Sequence, residues 1–372
     1  MEKKRFVFIA HWVETWNWML WWNKDLHRHP EHAWRWIWLY PVYFAASVFY
    51  LFGKKSHDVV DTFKFNGLEG KIVLIRSFGW HFFINGHREK IRQKIFQAVL
   101  KEQAGADVIG LGALTKAEWL TRGGKRVVEK LGGRLKVPIV HGDTLTAATV
   151  IKRILQLNLS PVFMTGATSK IGRAVALDLA SRGITVKLFT ESEGRFNEIL
   201  EETEATGGYG KFLVNSLTLE DGKNCPLWVT GKAIPAGMEL LKNIPKGAVV
   251  LNFSVPNPVS ERAKKARLDV RFYEGGLLAF DPEKSTQSFN MRLWPGETYA
   301  CHAGTMVHAY KGWTHNEVGP VDMKLLWPTY EAAEELGFFL SPLPQRQEQE
   351  ATGGNLWGLI WQKARGFASF LS

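Results

Sequence analysis

Only two of the 372 residues are cysteine, Cys225 and Cys301. Two cysteines cannot build a disulfide framework, which favours a reducing, cytosolic environment. Acidic charge is also short: 36 Asp and Glu face 47 Lys and Arg, leaving a formal charge of +11. Such a surplus favours an acidic partner, namely nucleic acid, anionic lipid or an acidic carrier protein. There is no zinc-finger spacing and no arginine-rich helix, so nucleic acid is the weakest of the three. The start is basic at Lys3, Lys4 and Arg5, but His11, Glu14 and Asn17 break the stretch that follows. No small-residue cleavage site comes after it, so it does not read as a signal peptide. No internal repeat is visible.

Tryptophan, by contrast, is abundant. Of sixteen, Trp12, Trp16, Trp18, Trp21, Trp22, Trp34, Trp36 and Trp38 crowd the first forty positions. Indole rings favour the membrane–water interface, which tilts the acidic partner toward lipid. From Trp36 to Phe52 the chain is almost wholly apolar, between Arg35 and Lys54-Lys55. As a helix this run would reach roughly 25 Å, marginal for a hydrocarbon core of about 30 Å, and Pro41 would kink it. It reads as a short spanning, re-entrant or interfacial anchor, with a buried core helix as the alternative. The tail from Leu356 to Leu371 sets Trp357, Ile360, Trp361 and Phe370 against Lys363 and Arg365. That pattern suits an interfacial helix or one docked on the domain. His27, His29 and His32 are too few and too close together for a membrane di-iron centre, so no metal is expected.

Between these ends the pattern is strand–helix alternation. Lys71–Ile75, Asp107–Gly112 and Val137–Val140 read as strands, and Lys90–Gln103 has helical spacing. A helix is expected to open after His141-Gly142-Asp143 and to run through Ile154. Val162–Thr165, Thr185–Phe189, Leu227–Val229 and Ala248–Leu251 follow as strands, with a helix from Arg173 to Arg182. This rhythm predicts an α/β, Rossmann-like, doubly wound parallel sheet with an additional α/β region before it and an apolar helical segment at the N-terminus.

Gly166-Ala167-Thr168-Ser169-Lys170-Ile171-Gly172 lies between the strand Val162–Thr165 and the next helix. Gly166 permits the tight turn, Gly172 a close helix–sheet approach, and the helix N-terminus favours a pyrophosphate. Lys170 stands where many such loops have a middle glycine. Lys170, Arg173 and Arg195 could meet the 2′-phosphate of NADPH, whereas Glu191 could bond a free 2′-hydroxyl; three cations against one acid favour NADPH. A Tyr-x-x-x-Lys pair downstream of the loop is missing, which argues against short-chain alcohol dehydrogenase chemistry. The only such spacing, Tyr50…Lys54, lies upstream in the apolar run.

Cys301 has Ala300, Ala303 and Gly304 around it, which leave steric room, and His302, His308 and His315 nearby to lower a thiol pKa or supply a proton. A small buried helix residue is the plain alternative. His308 also reads as inward packing, and Cys225 as structural. A soft nucleophile beside a nicotinamide suggests reduction of a thioester-linked fatty acid to an aldehyde.

Three segments carry a family likeness: Thr165–Ala174, Val140-His141-Gly142-Asp143-Thr144-Leu145-Thr146-Ala147-Ala148, and Ala300–Gly304 with Gly312–Gly319. Together they resemble the C-terminal domain of the plant eceriferum/glossy cuticular-wax proteins, over about Trp36 to Pro342. Those proteins are larger and carry a histidine-box, hydroxylase-like region upstream. A more distant likeness is to cyanobacterial long-chain acyl-carrier-protein reductases. That resemblance implies a Cys301 acyl-enzyme reduced by NADPH to a long-chain aldehyde, with His302 and His315 assisting. It also implies an active-site turn at His141, Asp143, Thr144 and Thr146. The expected partners are a long-chain acyl-CoA or acyl carrier protein, membrane lipid, and a separate aldehyde-processing iron enzyme. The alternatives are a partner in aldehyde-to-alkane conversion and a non-catalytic lipid-binding scaffold. The expected segments are 1–55 Trp-rich and membrane-associated on the cytoplasmic face, 56–160 substrate α/β region, 161–300 NADPH-binding domain, 301–342 cysteine helix and cap, and 343–372 linker and tail.

Overall fold

The structure, a computed structural model, describes residues 4–12, 52–231, 237–254, 266–289 and 293–343, with a few single positions between these stretches. The first sheet has the order β2-β3-β1-β4-β5, from β1 (Arg5–Trp12), β2 (His57–Phe65), β3 (Leu68–Phe78), β4 (Val108–Leu111) and β5 (Ile139–Val140). Asn66 and Gly67 join β2 to β3, both at positive φ (45° and 83°), the geometry a two-residue hairpin turn requires. The other neighbours, β3-β1-β4-β5, run parallel. Val7, Ile9, Val73, Ile75, Ile109 and Leu111 cover one face and pack against Ile91, Ile95 and Val99 of α1 (Arg88–Glu102). Two short helices, α2 (Glu118–Thr121) and α3 (Lys125–Leu131), close that layer through Leu120 and Val127.

The place of β1 corrects the expectation of a separate membrane segment over 1–55. Arg5–Trp12 is the middle strand of the sheet, with Val7, Ile9 and Trp12 fully buried. A parallel strand covered on both faces is apolar almost throughout, and Phe6-Val7-Phe8-Ile9-Ala10 meets that demand. Most of the Trp36–Phe52 run, the histidines at 27, 29 and 32, and the tail beyond 343 lie outside the described residues. No helix among the described residues is long and apolar enough to cross a membrane.

The second sheet has the order β11-β10-β9-β6-β7-β8 and is parallel throughout. Its strands are β6 (Val162–Thr165), β7 (Val186–Phe189), β8 (Leu213–Ser216), β9 (Leu227–Thr230), β10 (Val249–Asn252) and β11 (Arg271–Glu274). Counted from β6, this is the 3-2-1-4-5-6 order of a dinucleotide-binding sheet, with the reversal of direction at β6. The associated helices are α4 (Asp143–Leu157), α5 (Lys170–Ser181), α6 (Glu193–Thr206) and α7 (Gly237–Asn243). The α/β, doubly wound fold expected from the sequence is therefore present.

A third, antiparallel sheet has the order β13-β12-β14, from β12 (Leu277–Ala279), β13 (Glu297–Tyr299) and β14 (Phe339–Leu340). Next to it lie α8 (Ala300–Lys311) and α9 (Leu326–Glu335). Helix α8 packs against α4, β1 and β4. A Cβ at Gly110 of β4 would lie 2.7 Å from Thr305 Cγ2, so glycine is what allows the helix this close. Residues 316–319 then follow β5: Glu317 bridges Val140 in parallel, and Asn316 Oδ1 accepts from the Ile139 N–H at 2.9 Å. Helix α8 and residues 316–319 thus lie against the first sheet.

Candidate functional site

Three helix N-termini meet where the two larger sheets adjoin. α4 begins directly after β5, α5 directly after the glycine loop, and α8 directly after β13. Gly142, at φ 64°, caps α4, and a Cβ there would stand 2.7 Å from Cys301 Cα. Gly304 returns the approach, with its virtual Cβ 3.0 Å from Gly142 Cα. Small residues at both positions therefore let the starts of α4 and α8 touch backbone to backbone.

A buried charge cluster fills this junction. Asp143 receives the Lys116 ammonium at 2.5 Å on Oδ1 and the Lys170 ammonium at 2.7 Å on Oδ2. Lys116 also donates to the His141 carbonyl at 2.7 Å. His141, fully buried, has Nε2 3.1 Å from the Gly319 carbonyl oxygen, which fixes a proton on that nitrogen. Its Nδ1 sits 2.9 Å from Glu317 Oε1 and 3.0 Å from the Asp143 N–H. Glu317 Oε1 also accepts from the Thr144 N–H at 3.1 Å. The Thr144 hydroxyl is buried without a hydrogen-bond partner.

The electrostatics follow from these contacts. Burial penalises the Asp143 carboxylate, but the ammonium groups of Lys116 and Lys170 outweigh it and hold its pKa far below the usual range. Burial likewise opposes ionised Glu317, and His141 with the Thr144 amide reverses this and lowers its pKa to about 2. Lys116 is disfavoured by burial and rescued by Asp143, with a raised pKa as the net result. Cys301 is partly exposed, and burial of its thiol raises its pKa; Lys116 opposes the shift and Asp143 adds to it. Cys301 is therefore a neutral thiol near pH 7 rather than a poised thiolate.

The residues expected at the site divide accordingly. His141, Asp143, Thr144, Cys301 and Lys170 come together. Thr146 points its hydroxyl at the Gly142 carbonyl, 3.0 Å, inside helix α4. His302 faces the opposite side of α8. It is fully buried against Phe8 (ring centroids 4.6 Å), Phe6 and Phe63, and burial lowers its pKa to about 3. Successive residues on a helix diverge by about 100°, so Cys301 and His302 cannot share one face. His315 is exposed, and its carbonyl accepts from His308 Nε2 at 2.9 Å. Neither His302 nor His315 is hydrogen-bonded or ion-paired to a member of the cluster. Lys116 was not singled out from the sequence, and Glu317 was quoted but given no role. The one available signal was position: Lys116 follows the glycine-terminated strand β4.

The glycine loop has the features a dinucleotide needs. Gly166 has φ 74°, and a Cβ at Gly172 would lie 2.9 Å from Ala167 Cα. The Ser169 hydroxyl caps α5 by accepting from the Gly172 N–H at 3.2 Å. Thr165 Oγ1, at the strand end, is buried without a hydrogen-bond partner. The three expected phosphate cations are differently placed. Lys170 is turned to Asp143, and Arg173 is held by Glu202 on α6. Arg195 stays exposed, beside Glu191, at the start of α6. Two of the three are thus already paired, which removes the count that favoured a 2′-phosphate.

Residues 162–339 match the family described as CER1-like, C-terminal domain. The chain carries a CER1-like C-terminal domain. Very-long-chain aldehyde decarbonylase GL1-1 of Oryza sativa subsp. indica is 34% identical over 279 residues, 74% of this chain and 43% of the relative. GL1-2 of the same subspecies is 33% identical over 283 residues, 75% and 43%. Protein CER1-like 2 of Arabidopsis thaliana is 27% identical over 285 residues, 75% and 42%. The chain thus spans less than half the length of the curated relatives it matches. Among solved structures, Bacillus subtilis protein yhfP with NAD bound overlaps 36% of this chain and 43% of its own, with 20% identity and a TM-score of 0.25. An overlap so partial adds nothing to the strand order above.

These relatives overturn the expectation of an acyl-thioester reductase that makes aldehyde. CER1-like relatives are named for an aldehyde decarbonylase activity, which places aldehyde on the consumed side.

Proposed function

We propose that this chain is an aldehyde-handling, dinucleotide-binding partner in the conversion of very-long-chain aldehydes to hydrocarbons, working beside a separate iron-dependent aldehyde-processing activity. One observation supports this reading above the others. The three motifs that resemble the cuticular-wax proteins, far apart in sequence, converge on the single buried cluster of Lys116, His141, Asp143, Lys170 and Glu317.

The residues present suit a nicotinamide dinucleotide. Loop 165–172 offers backbone N–H groups and the α5 dipole to a pyrophosphate, with Thr165 as an additional donor. Glu191 and Arg195, just past β7, lie where the ribose of a dinucleotide is read in such folds. A nicotinamide bound there would supply reducing equivalents to the separate hydrocarbon-forming activity and not a hydride to the aldehyde carbonyl, which would give an alcohol. The chain's own part is to bind and polarise the aldehyde. Lys116 uses two of its three N–H donors on Asp143 and the His141 carbonyl, leaving the third for an aldehyde oxygen beside Cys301.

The test has two arms. Calorimetric titration with NADH and NADPH measures dinucleotide binding by the purified chain. Hydrocarbon yield is then measured by gas chromatography in a host that accumulates long-chain aldehyde. The host expresses the histidine-box region of a plant relative, with or without this chain. Binding of either dinucleotide and a rise in hydrocarbon yield are expected. Absence of both would overturn the proposal.

A further inference from the structure

The carboxyl ends of β1, β3, β4 and β5 share one edge of the first sheet, because these strands are parallel. His141 and Asp143 follow β5 on that edge. The same edge carries a group of partly exposed apolar side chains. Trp80, Phe83 and Ile84 follow β3 and are 40%, 63% and 39% exposed; Trp119 follows β4 and is 38% exposed. Phe83 and Trp119 face one another at 6.0 Å between ring centroids. Phe52, 54% exposed, touches the ring of His87 beside them. β1 ends at Trp12 on this edge, and β2 begins opposite Ile75 at the end of β3.

Two cations flank these rings. The Arg88 guanidinium lies 4.8 Å from the Trp119 ring centroid and the Lys90 ammonium 4.3 Å from that of Phe52. Exposed indole and phenyl rings bordered by cations match the interfacial zone of an anionic bilayer, with rings among the upper acyl chains and cations at the phosphates. The net charge of +11 and these two flanking cations favour an anionic surface as the occupant.

We propose that this edge of the first sheet is a bilayer-docking face, formed by Phe52, Trp80, Phe83, Ile84 and Trp119 with Arg88 and Lys90, whose occupant is an anionic lipid surface. Resting on the function proposed above, docking brings the sheet edge that carries His141 and Asp143 to the membrane. An insoluble long-chain aldehyde then passes from lipid to the site without crossing water. The face shares only Phe52 with the Trp36–Phe52 run; Trp80, Phe83, Ile84 and Trp119 come from the turns after β3 and β4.

The full chain is mixed with vesicles of phosphatidylcholine, alone or with phosphatidylserine, with no nucleotide or aldehyde present. Failure of the functional reading therefore leaves this result untouched. Hydrogen exchange should slow over 79–90 and 117–122 on adding the anionic vesicles. In flotation, Phe83→Ser and Trp119→Ser should each weaken partition about tenfold, the cost of exposing one partly buried ring to water. Arg88→Gln and Lys90→Gln should each weaken it roughly fivefold, and only on anionic vesicles. Unchanged exchange over those segments would overturn the proposal even if the chain floats, since another part of it would then be the anchor. So would a chain that self-associates in sedimentation and becomes monomeric on Phe83→Ser, because a second copy would then occupy the face. Exchange is read on the native chain, so a variant that fails to fold leaves the proposal falsifiable.

Discussion

Replacing Asp143 by asparagine perturbs the cluster in two opposite ways, and the structure gives a sign to each. The carboxylate is almost fully buried and lies within 2.7 Å of two ammonium groups. Asp143→Asn leaves Lys116 and Lys170 facing one another across a neutral amide. Removing one partner of a buried ion pair typically costs about 3 to 5 kcal/mol, since the remaining charge is left uncompensated. At about 2 °C per kcal/mol for a chain of this size, the melting temperature should fall by roughly 6 to 10 °C. The Cys301 thiol should move in a direction of its own. Asp143 raises its pKa and Lys116 lowers it, so loss of the carboxylate should bring the pKa down and speed alkylation at pH 7 to 8. Rates of iodoacetamide labelling across pH, followed by mass spectrometry, measure this. Cys225 is fully buried, with a pKa that burial raises, and serves as the internal control. A second change, Lys170→Met in the Asp143→Asn background, should recover part of the stability and give a cost below the sum of the two single costs. A thiol pKa that rises or stays put in Asp143→Asn, or strict additivity in the double variant, would refute the electrostatic account of the cluster.

Gly172→Ala should weaken NADH or NADPH binding at least about tenfold in calorimetry and cost about 1 to 3 kcal/mol, because its Cβ would press on Ala167 and the Gly166 carbonyl. Acid should destabilise the chain well above the carboxylate range. Burial lowers the pKa of His11 and His81 to about 4 and of His302 to about 3. These rings are neutral when folded and protonate near 6.5 when unfolded. Stability is therefore complete above about pH 6.5 and is lost as pH falls toward 4, at up to about 1.4 kcal/mol per pH unit for each ring. Urea midpoints measured across that range should slope steeply, and more gently in His302→Gln. Glu317→Gln should lose stability at pH 7 by up to about 3 kcal/mol, with the difference from the native chain closing as pH drops from 4.5 toward 2, where Glu317 itself protonates. Deleting residues 1–12 should unfold the first lobe, seen as loss of far-ultraviolet circular dichroism, because it removes the middle strand.

The parts of the fold legible in the sequence were those carried by local signals. Val162–Thr165, the glycine loop and the following helix announce themselves through an apolar run, two special glycines and a helical face. The strand Arg5–Trp12 did not, because its apolar run merges into a tryptophan-rich stretch with membrane-like composition. β11 to β14 are two to four residues long, too short to show either period. At the site, His141, Asp143 and Lys170 stood in motifs and were named, Lys170 as a phosphate cation rather than as a partner of Asp143. Lys116 sits in Ala-Leu-Thr-Lys, where nothing marks it, and its role is set by tertiary contacts with Asp143 and the His141 carbonyl. His302 was misplaced because adjacency in sequence stood in for adjacency in space.

The return of α8 to the first sheet has a consequence for how the protein is made. Phe8 and Gly110 are covered by His302 and Thr305, which leave the ribosome only after the whole dinucleotide sheet has been synthesised. At typical elongation rates that delay is on the order of 10 s, during which one apolar face of a nascent sheet has no lid. A cellular host short of chaperones should therefore lose this protein to aggregation before any variant at the site is tested. A fragment cut to residues 162–339 would have the converse defect, a helix with no sheet to lie on. The sequence match marks a unit of descent, but the unit of folding begins at β1.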